Sequence, residues 1–470
     1  MVNYKTPGVY IEEIPKLPPS IAQVETAIPA FIGYTQKAID QRGNSLTLVP
    51  KRISSMLEYE QFFGLPFEET SITVTITEAS GRPTTVLASI GDRSKYLMHY
   101  SLQLFFANGG GPCWIVSVGD YSTGQVGFAE LKNGLDATQR VDEITLYCYP
   151  DAQGLSSADN FYNLFGETMD LCADLKDRFA VSDVWPEPGQ PDWKENINTL
   201  RNTTGIEENQ LKYGAVYFPN LETILDYYYG GEGDGDGNVT IVHVGGTGEF
   251  SGTLAELKSK NNGFYHQSRA AIRDLPLELP PSAGMMGIYA SVDASRGVWK
   301  APANVNMDFA IRPMVKVTDR EQQNLNVDSN AGKSINVIRT FTGRGPAIVW
   351  GSRTMAGNSN EWRYVPVRRF FIMVEESVKK ATVQFVFEPN DANTWVRVQA
   401  MIANFLTQQW RAGALMGTTT EEAFYVKVGL NETMSELDIW EGRMNVEIGM
   451  AVVRPAEFII LKFSHKMLSE

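Results

Sequence analysis

The sequence predicts a multidomain α+β protein of mixed α/β layers, with a C-terminal helix-on-sheet unit and extended β arms at both termini. Three observations carry this. The chain has 470 residues, 43% hydrophobic and 20% charged, enough to bury more than one core, and a single compact domain of that length is disfavoured. Short apolar runs alternate with longer stretches of helical spacing. Both chain ends are apolar and β-prone, where termini are ordinarily polar and frayed.

Near the N-terminus, Thr6-Pro7-Gly8 precedes Val9, Tyr10 and Ile11, and Lys16-Leu17-Pro18-Pro19-Ser20 follows. Fenced by proline and too short to bury its own side chains, this segment needs a partner surface. Residues 28–34 read as a short apolar strand, 53–63 (ISSMLEYEQFF) as a helix stopped by Gly64, and 96–107 as a helix before Asn108-Gly109-Gly110-Gly111. Residues 113–118 and 144–149 read as buried strands and 160–179 as a helix. Residues 70–83 (SITVTITEASGRP) alternate like a solvent-facing hairpin. Residues 220–280, with YYYGGEGDGDGNVTIVHVGGTGEF, are Gly-rich and then strand-like; they read as an outward-facing insertion with a flexible loop.

Beyond Pro280, residues 286–291 read as a strand, 293–304 as an ordered turn, 335–341 and 347–350 as strands, 370–381 as a helix and 383–387 as a strand. The clearest helix spans 394–410, where Trp395, Val398, Ile402, Phe405 and Leu406 share one face, with Asn393 as its N-cap and Gly413 as its stop. Val446, Ile448, Met450 and Val452 alternate as in a half-buried strand, and Ile459, Leu461 and Phe463 alternate again at the C-terminus. On pattern alone, each terminus could be an edge strand of its own sheet or reach another chain. The expected division is an arm over 1–25, a middle α/β domain over 26–345 with insertions near 70–90 and 220–280, a C-terminal helix-on-sheet domain over 346–455, and a second arm over 456–470.

No apolar run reaches 18 residues and no basic-then-apolar leader opens the chain, so neither membrane insertion nor export through a signal peptide is expected, and assembly in the cytoplasm is. Cys113, Cys148 and Cys172 are odd in number and widely spaced, which argues for buried thiols rather than a disulfide framework or a zinc site. A formal net charge of -14 disfavours nucleic acid as a partner.

Catalytic-looking features fail on inspection. Gly332-Lys333-Ser334 resembles the end of a phosphate loop, yet Val327 stands where that motif needs glycine and no apolar strand precedes it. Glu232, Asp234, Asp236 and Asn238 alternate in a Gly-rich loop, but Gly245 or His243 falls where a calcium loop needs its bidentate Glu, so a solvated loop is expected. The four histidines have no metal-type spacing, and no GxSxG elbow occurs. No catalytic residue, cofactor or metal is expected. Trp350, Arg353, Trp362, Arg363, Arg368 and Arg369 form a cluster whose acidic neighbours Glu361, Glu375 and Glu376 point to packing or subunit contact rather than phosphate. Arg443 and Arg454, with Asp438, Glu441 and Glu457, suggest a similar network, and Trp395 is a further packing candidate.

Several stretches carry a resemblance: TPGVYIEEI and TAIPAFIGYT near the start, PPSAGMMGIYASVDASRGVWKAPAN, SINVIRTFTGRGPAIVWGSRTM and EWRYVPVRRFFIMVEESV after Pro280, then FVFEPNDANTWVRVQAMIANFLTQQW, RAGALMGTTTEEAFYV and VVRPAEFIILKF. Through them the chain resembles the sheath subunits of phage tails and phage-like contractile injection particles. The likeness is dense from Pro280 onward, clear at the start and patchier between. It implies a structural protein that forms a homo-oligomeric helical stack of sixfold rings around an inner tube, bounded by baseplate and terminator proteins, and that contracts to drive the tube through a target envelope. It also implies a conserved inner domain at the C-terminal end and arms that reach neighbouring subunits through Val9, Tyr10, Ile11, Ile459, Leu461 and Phe463. The particle would be a phage tail or a phage tail-like device, released or membrane-anchored. The alternative is a non-contractile tail, tube or baseplate component.

Overall fold

The computed structural model describes residues 21–78, 84–202, 208–231, 235–245, 248–328 and 330–460. The chain divides into two compact units: one comprises Met1–Val24 and Met373–Val453, the other Glu25–Ile372 and Arg454–Glu470.

The larger unit holds, in chain order, strands β1 (Pro29–Gly33), β2 (Lys51–Ile53), β3 (Ile72–Thr77), β4 (Thr85–Ile90), β5 (Cys113–Ser117), β6 (Leu146–Cys148), β7 (Phe179–Asp183) and β8 (Gly214–Phe218). They are followed by β9 (Leu221–Thr223), β10 (Thr240–Val244), β11 (Gly252–Thr253), β12 (Leu277–Leu279), β13 (Ala310–Pro313), β14 (Asn336–Phe341) and β15 (Gly345–Val349). The main sheet has the order β15-β14-β8-β7-β6-β1-β5-β2. Its centre from β14 to β5 is parallel, and β15 and β2 close the edges antiparallel. Parallel strands covered on both faces must be apolar throughout rather than alternating, and PAFIG in β1, FAVSD in β7 and GAVYF in β8 are buried at every position.

Several sequence expectations change here. Residues 286–291 are not a strand but part of the helix Ser282–Arg296. The run is apolar on all sides, so its period cannot separate helix from strand, and its glycines serve helix packing: a Cβ on Gly287 would meet the Phe105 carbonyl oxygen at 2.4 Å in the helix Met98–Ala107. The expected turn over 293–304 begins only at Gly297, the C-cap of that helix. The helix expected over 160–179 runs Ala158–Leu175, and Phe179 already opens β7. The helix expected from residue 53 starts at Met56 because Ile53 is drawn into β2.

The hairpin read over 70–83 continues into β4 and is not simply solvent-facing: Ile72, Val74 and Ile76 are fully buried. β10, from the second weakly matched stretch, pairs in parallel with β3, giving a sheet of order β11-β10-β3-β4. Two segments separated by more than a hundred residues thus share one hydrophobic core with Leu254, Leu257, Tyr265 and Ile272. The Gly-rich loop is not wholly solvated either. Asp236 is buried and accepts a hydrogen bond from the Tyr265 hydroxyl at 2.9 Å, whereas Glu232 and Asp234 lie outside the described residues.

The smaller unit contains the C-terminal half of the helix Val365–Thr382, the helix Ala392–Arg411, and strands β16 (Phe424–Lys427) and β17 (Glu447–Met450), paired antiparallel. Val398, Ile402, Phe405 and Leu406 form the buried face of Ala392–Arg411, and Trp395 is half-buried. Its N-cap is Asp391 rather than Asn393: the Asp391 carboxylate accepts from the Thr394 amide at 3.0 Å, satisfying an otherwise orphan donor. Gly413 follows with a positive φ of 89°. Residues 383–387 are not a strand. No glycine or proline stops the preceding helix before Pro389, so the backbone tightens into a 3₁₀ turn over Val383–Phe385 and then places Phe387 at φ 70°, with its ring fully exposed.

Candidate functional site at the arm roots and the C-terminal sheet

The C-terminal segment leaves the larger unit at a built anchor. Glu457 accepts from Arg353 Nε at 2.9 Å and from a terminal guanidinium nitrogen at 2.5 Å, from the Asn326 amide at 2.9 Å and from the Tyr364 hydroxyl at 3.3 Å. Arg353 is itself held in place, since Asn336 both donates to its carbonyl and accepts from its amide at 2.7 Å. The Arg353 side chain is 3% exposed and that of Glu457 20%. Burial raises the Glu457 pKa, but the hydrogen bonds from Arg353 and Asn326 outweigh it and leave the carboxyl below its ordinary value. Immediately beyond, Phe458, Ile459 and Ile460 are 69%, 79% and 80% exposed. Three large apolar side chains thus leave the anchor exposed among the described residues. No strand forms over 457–460, so the expected alternation has no sheet within the described chain to join.

The N-terminal segment enters the same unit at a comparable anchor. Thr26 donates its hydroxyl to Asp293 at 2.6 Å and its carbonyl accepts from Arg369 at 2.9 Å, while Arg369 and Asp293 form a bidentate pair at 2.5 and 3.1 Å. The Arg369 guanidinium lies over the Tyr289 ring at 4.5 Å. In the smaller unit, the preceding residues are tied by the Val24 amide to Ser377 Oγ at 3.1 Å and by Gln23 to Gln409 at 3.3 Å.

Among the described residues the smaller unit's sheet has two strands. Such a sheet is marginal alone and presents unpaired backbone groups at its edges. Beside β17 opens a groove of about 790 Å³, lined by Val378, Phe385, Phe387, Ile402, Val446 and Ile448 among others.

The remaining sequence candidates fall elsewhere. Arg368 stacks over Tyr213 and Trp362 at 4.7 and 4.8 Å. Arg363 donates to the Ser359 carbonyl at 3.0 Å and to the Asn360 side chain. Arg454 donates to the Asn360 carbonyl at 2.7 Å, and Arg443 pairs with Asp438 at 2.9 Å and with Glu441. Glu457 therefore leaves the expected network with Arg443 and Arg454 and joins Arg353. Trp395 Nε1 donates to Asn390 at 2.7 Å. Glu376 pairs with Lys379 and Lys380 on its own helix. Val9, Tyr10, Ile11, Leu461 and Phe463 lie outside the described residues.

Two places where chemistry could reside are otherwise engaged. Lys333 Nζ donates to the Leu200 and Arg201 carbonyls at 3.5 and 3.1 Å, and Ser334 Oγ to the Asn326 carbonyl at 2.7 Å, so both side chains tie off backbone. At the carboxyl ends of the parallel strands, where open α/β sheets bind ligands, two buried aspartates cap helices. Asp151 accepts from the Tyr34, Leu97 and Met98 amides at 2.7, 2.6 and 3.1 Å, and Asp183 from the Ser282 amide and hydroxyl at 2.8 and 2.5 Å. Burial pushes both carboxyls up to about 7 against the lowering effect of those donors.

The family model for the phage tail sheath C-terminal domain matches residues 358–466. The sheath of an extracellular contractile injection system, the PVC sheath complex in its contracted state, is 30% identical over 99% of this chain and 99% of its own, with a TM-score of 0.65. The contracted helical sheath of the anti-feeding prophage is 31% identical over 98% and 100%, with a TM-score of 0.62. The chain belongs to the contractile sheath family. A chain from the contracted baseplate structure of the same prophage is 25% identical over 98% and 99%, with a TM-score of 0.68. No curated protein matches. Sheath-family membership makes the chain a structural component of a contractile assembly rather than an enzyme.

Sequence reasoning overlooked Asp293, Asn326 and Tyr364 as anchor partners. The Arg353–Glu457 and Arg369–Asp293 pairs span 104 and 76 residues, and no local pattern encodes such separations. The one available signal is a lone carboxylate set among apolar residues in RPAEFII.

Proposed function

We propose that this sheath-family chain polymerises as stacked sixfold rings around an inner tube, between baseplate and terminator proteins, and contracts to drive the tube through a target envelope. The observation that carries the linkage is the abrupt change at Glu457, from a half-buried, four-bonded anchor on buried Arg353 to three exposed apolar side chains. In the proposal the arms, 1–25 and 456–470, leave their own subunit and add strands to the two-stranded sheet of neighbours, with Val9, Tyr10, Ile11, Ile459, Leu461 and Phe463 as anchors. The groove beside β17 offers an apolar bed for such a strand, and Phe387 would become covered.

Tethers of this kind survive a change of lattice. A strand contributing a few main-chain hydrogen bonds at about 0.5 to 1.5 kcal/mol each holds neighbours together while domain faces slide past one another. A difference of only ~1 to 2 kcal/mol per subunit between two packings, summed over an array, drives contraction without nucleotide. Head-to-tail contacts generate rings and helical arrays that can shorten while their links hold. In this reading residues 346–455 face the tube and the middle region, 26–345, faces outward. The particle, phage tail or tail-like device, is assembled in the bacterial cytoplasm.

Deleting residues 1–14 tests the linkage. The truncated chain is expected to fold with unchanged circular dichroism but to sediment as a monomer, while the full chain forms tubes in two lattices, long and narrow or short and wide. Normal tubes from the truncated chain would defeat the proposal, and one invariant lattice would favour a static structural component.

A further inference from the structure

Two helices of the larger unit begin without a cap of their own. The residues preceding them are Leu97, before Met98–Ala107, and Pro281, before Ser282–Arg296, and neither side chain carries an oxygen for the orphan amides of a first turn. Asp151 and Asp183 supply it from the carboxyl ends of β6 and β7, and the two carboxyls together accept from four amides and one hydroxyl. The helices pack on each other where Gly287 meets Phe105. The second also carries Asp293 near its far end, the partner of Arg369 and Thr26 at the root of the N-terminal segment.

Asp151 is 0% and Asp183 4% exposed, and among the described residues neither has a cationic partner. A buried carboxylate without one is costly however many donors face it. The other ionisable groups around them are phenols and a thiol. Tyr34, Tyr59 and Tyr121 face Asp151, Tyr217 stands beside Asp183 in β8, and Cys148 is near both, donating to Ser282 Oγ at 3.4 Å. Burial pushes each of these groups up, so within this cluster the two aspartates are what titrates near neutrality. A cavity of about 10 Å³, lined by Tyr149, Val181 and Asp183 among others, borders the second carboxyl and is at the lower limit for one water.

We propose that Asp151 and Asp183 form a proton-operated latch. Protonated, they hold the starts of both helices against the carboxyl edge of the main sheet; ionised, they loosen that hold, and with it the start of the helix that carries the Asp293 anchor. The sign follows from linkage. The folded carboxyls keep their protons to about 7, whereas a carboxyl released by local opening ionises at its ordinary value of 3.8. Each opening therefore releases a proton over that window, and its equilibrium constant climbs about tenfold per pH unit until it levels off above pH ~7.

The test is hydrogen exchange of the full chain, read on the amides of Leu97, Met98 and Ser282 and corrected for the intrinsic exchange rate at each pH. Between pH 5 and pH 7 the opening constants at these amides are expected to rise by about fiftyfold. Asp151→Asn is expected to flatten the profile at Leu97 and Met98, and Asp183→Asn that at Ser282, each leaving the other's slope in place. Infrared difference spectra of the unaltered chain give a reading that needs no variant: the absorption of two protonated, buried carboxyls should disappear as pH is raised from 5 to 8. Opening constants that stay level, or that fall as pH rises, would overturn the latch. So would a slope that survives in both variants, or carboxyls already ionised at pH 5.

Discussion

Replacing Glu457 with Ala isolates the anchor from the rest of the fold. In the wild type, the Arg353 guanidinium is 3% exposed and spends two of its donors on Glu457 and one on the Asn326 carbonyl at 3.2 Å. Removing the carboxylate strands a buried charge, and breaking a buried pair in this way costs ~3–5 kcal/mol. Because Glu457 is 20% exposed and water can partly replace it, the lower figure applies, and about 3 kcal/mol corresponds to a roughly hundredfold rise in the detached population. Among the described residues no buried apolar side chain follows Val452, so the change releases the arm root and leaves the core standing. Global melting of a two-unit chain is a poor readout for a local opening. Chymotryptic cleavage after Phe458 is a direct one, since a protease needs several unanchored residues around its target bond. The rate for Glu457→Ala should rise at least tenfold while circular dichroism stays constant, and Glu457→Gln, which retains one acceptor for Arg353, should fall between. Arg353→Met should release the same bond, and the double variant Arg353→Met/Glu457→Ala should add little to either single change. Unchanged cleavage in Glu457→Ala, or additive effects in the double variant, would refute the anchor.

Three further outcomes follow from the geometry. Asp183→Asn should reduce the loss of stability on raising pH: the folded-state pKa of about 7 lies above the ordinary value of 3.8, so the folded state binds the proton more tightly and the carboxyl's contribution, complete below pH ~4, fades as pH rises to ~7. Ionisation costs up to about 4 kcal/mol at that site, and a denaturation midpoint at pH 8 no higher in the variant than in the wild type would contradict this. Gly287→Ala should destabilise the larger unit by about 1–3 kcal/mol, read as a lower urea midpoint, because the new methyl meets backbone at Phe105 that cannot swing aside. Phe387→Gly should leave the isolated subunit at least as stable, by up to ~1–2 kcal/mol, since the left-handed conformation is costly for phenylalanine. It should nevertheless slow polymerisation measured by light scattering, and unimpaired assembly would remove Phe387 from the neighbour-binding groove.

Much of the architecture is written in short-range pattern. The apolar runs of β1, β5 and β6, the helix Ala392–Arg411 with its Val398–Ile402–Phe405 face, and the alternation over β17 are periodicities that backbone geometry imposes on any chain burying those side chains. Past Glu457 the apolar side chains of Phe458, Ile459 and Ile460 are exposed. Periodicity fails where a run is apolar on every face, as over 283–290 in the helix Ser282–Arg296, and where a short stretch that reads as a strand is carried on as a turn, as in Val383–Phe385. It also cannot pair segments remote in sequence. That β10 completes the sheet of β3 and β4, that Arg353 meets Glu457, and that Asp183 caps the helix beginning at Ser282 depend on where the folded backbone brings these groups. An arginine among aromatics determines a need for an acceptor, whereas the identity of that acceptor is a distance, and only the tertiary structure supplies it.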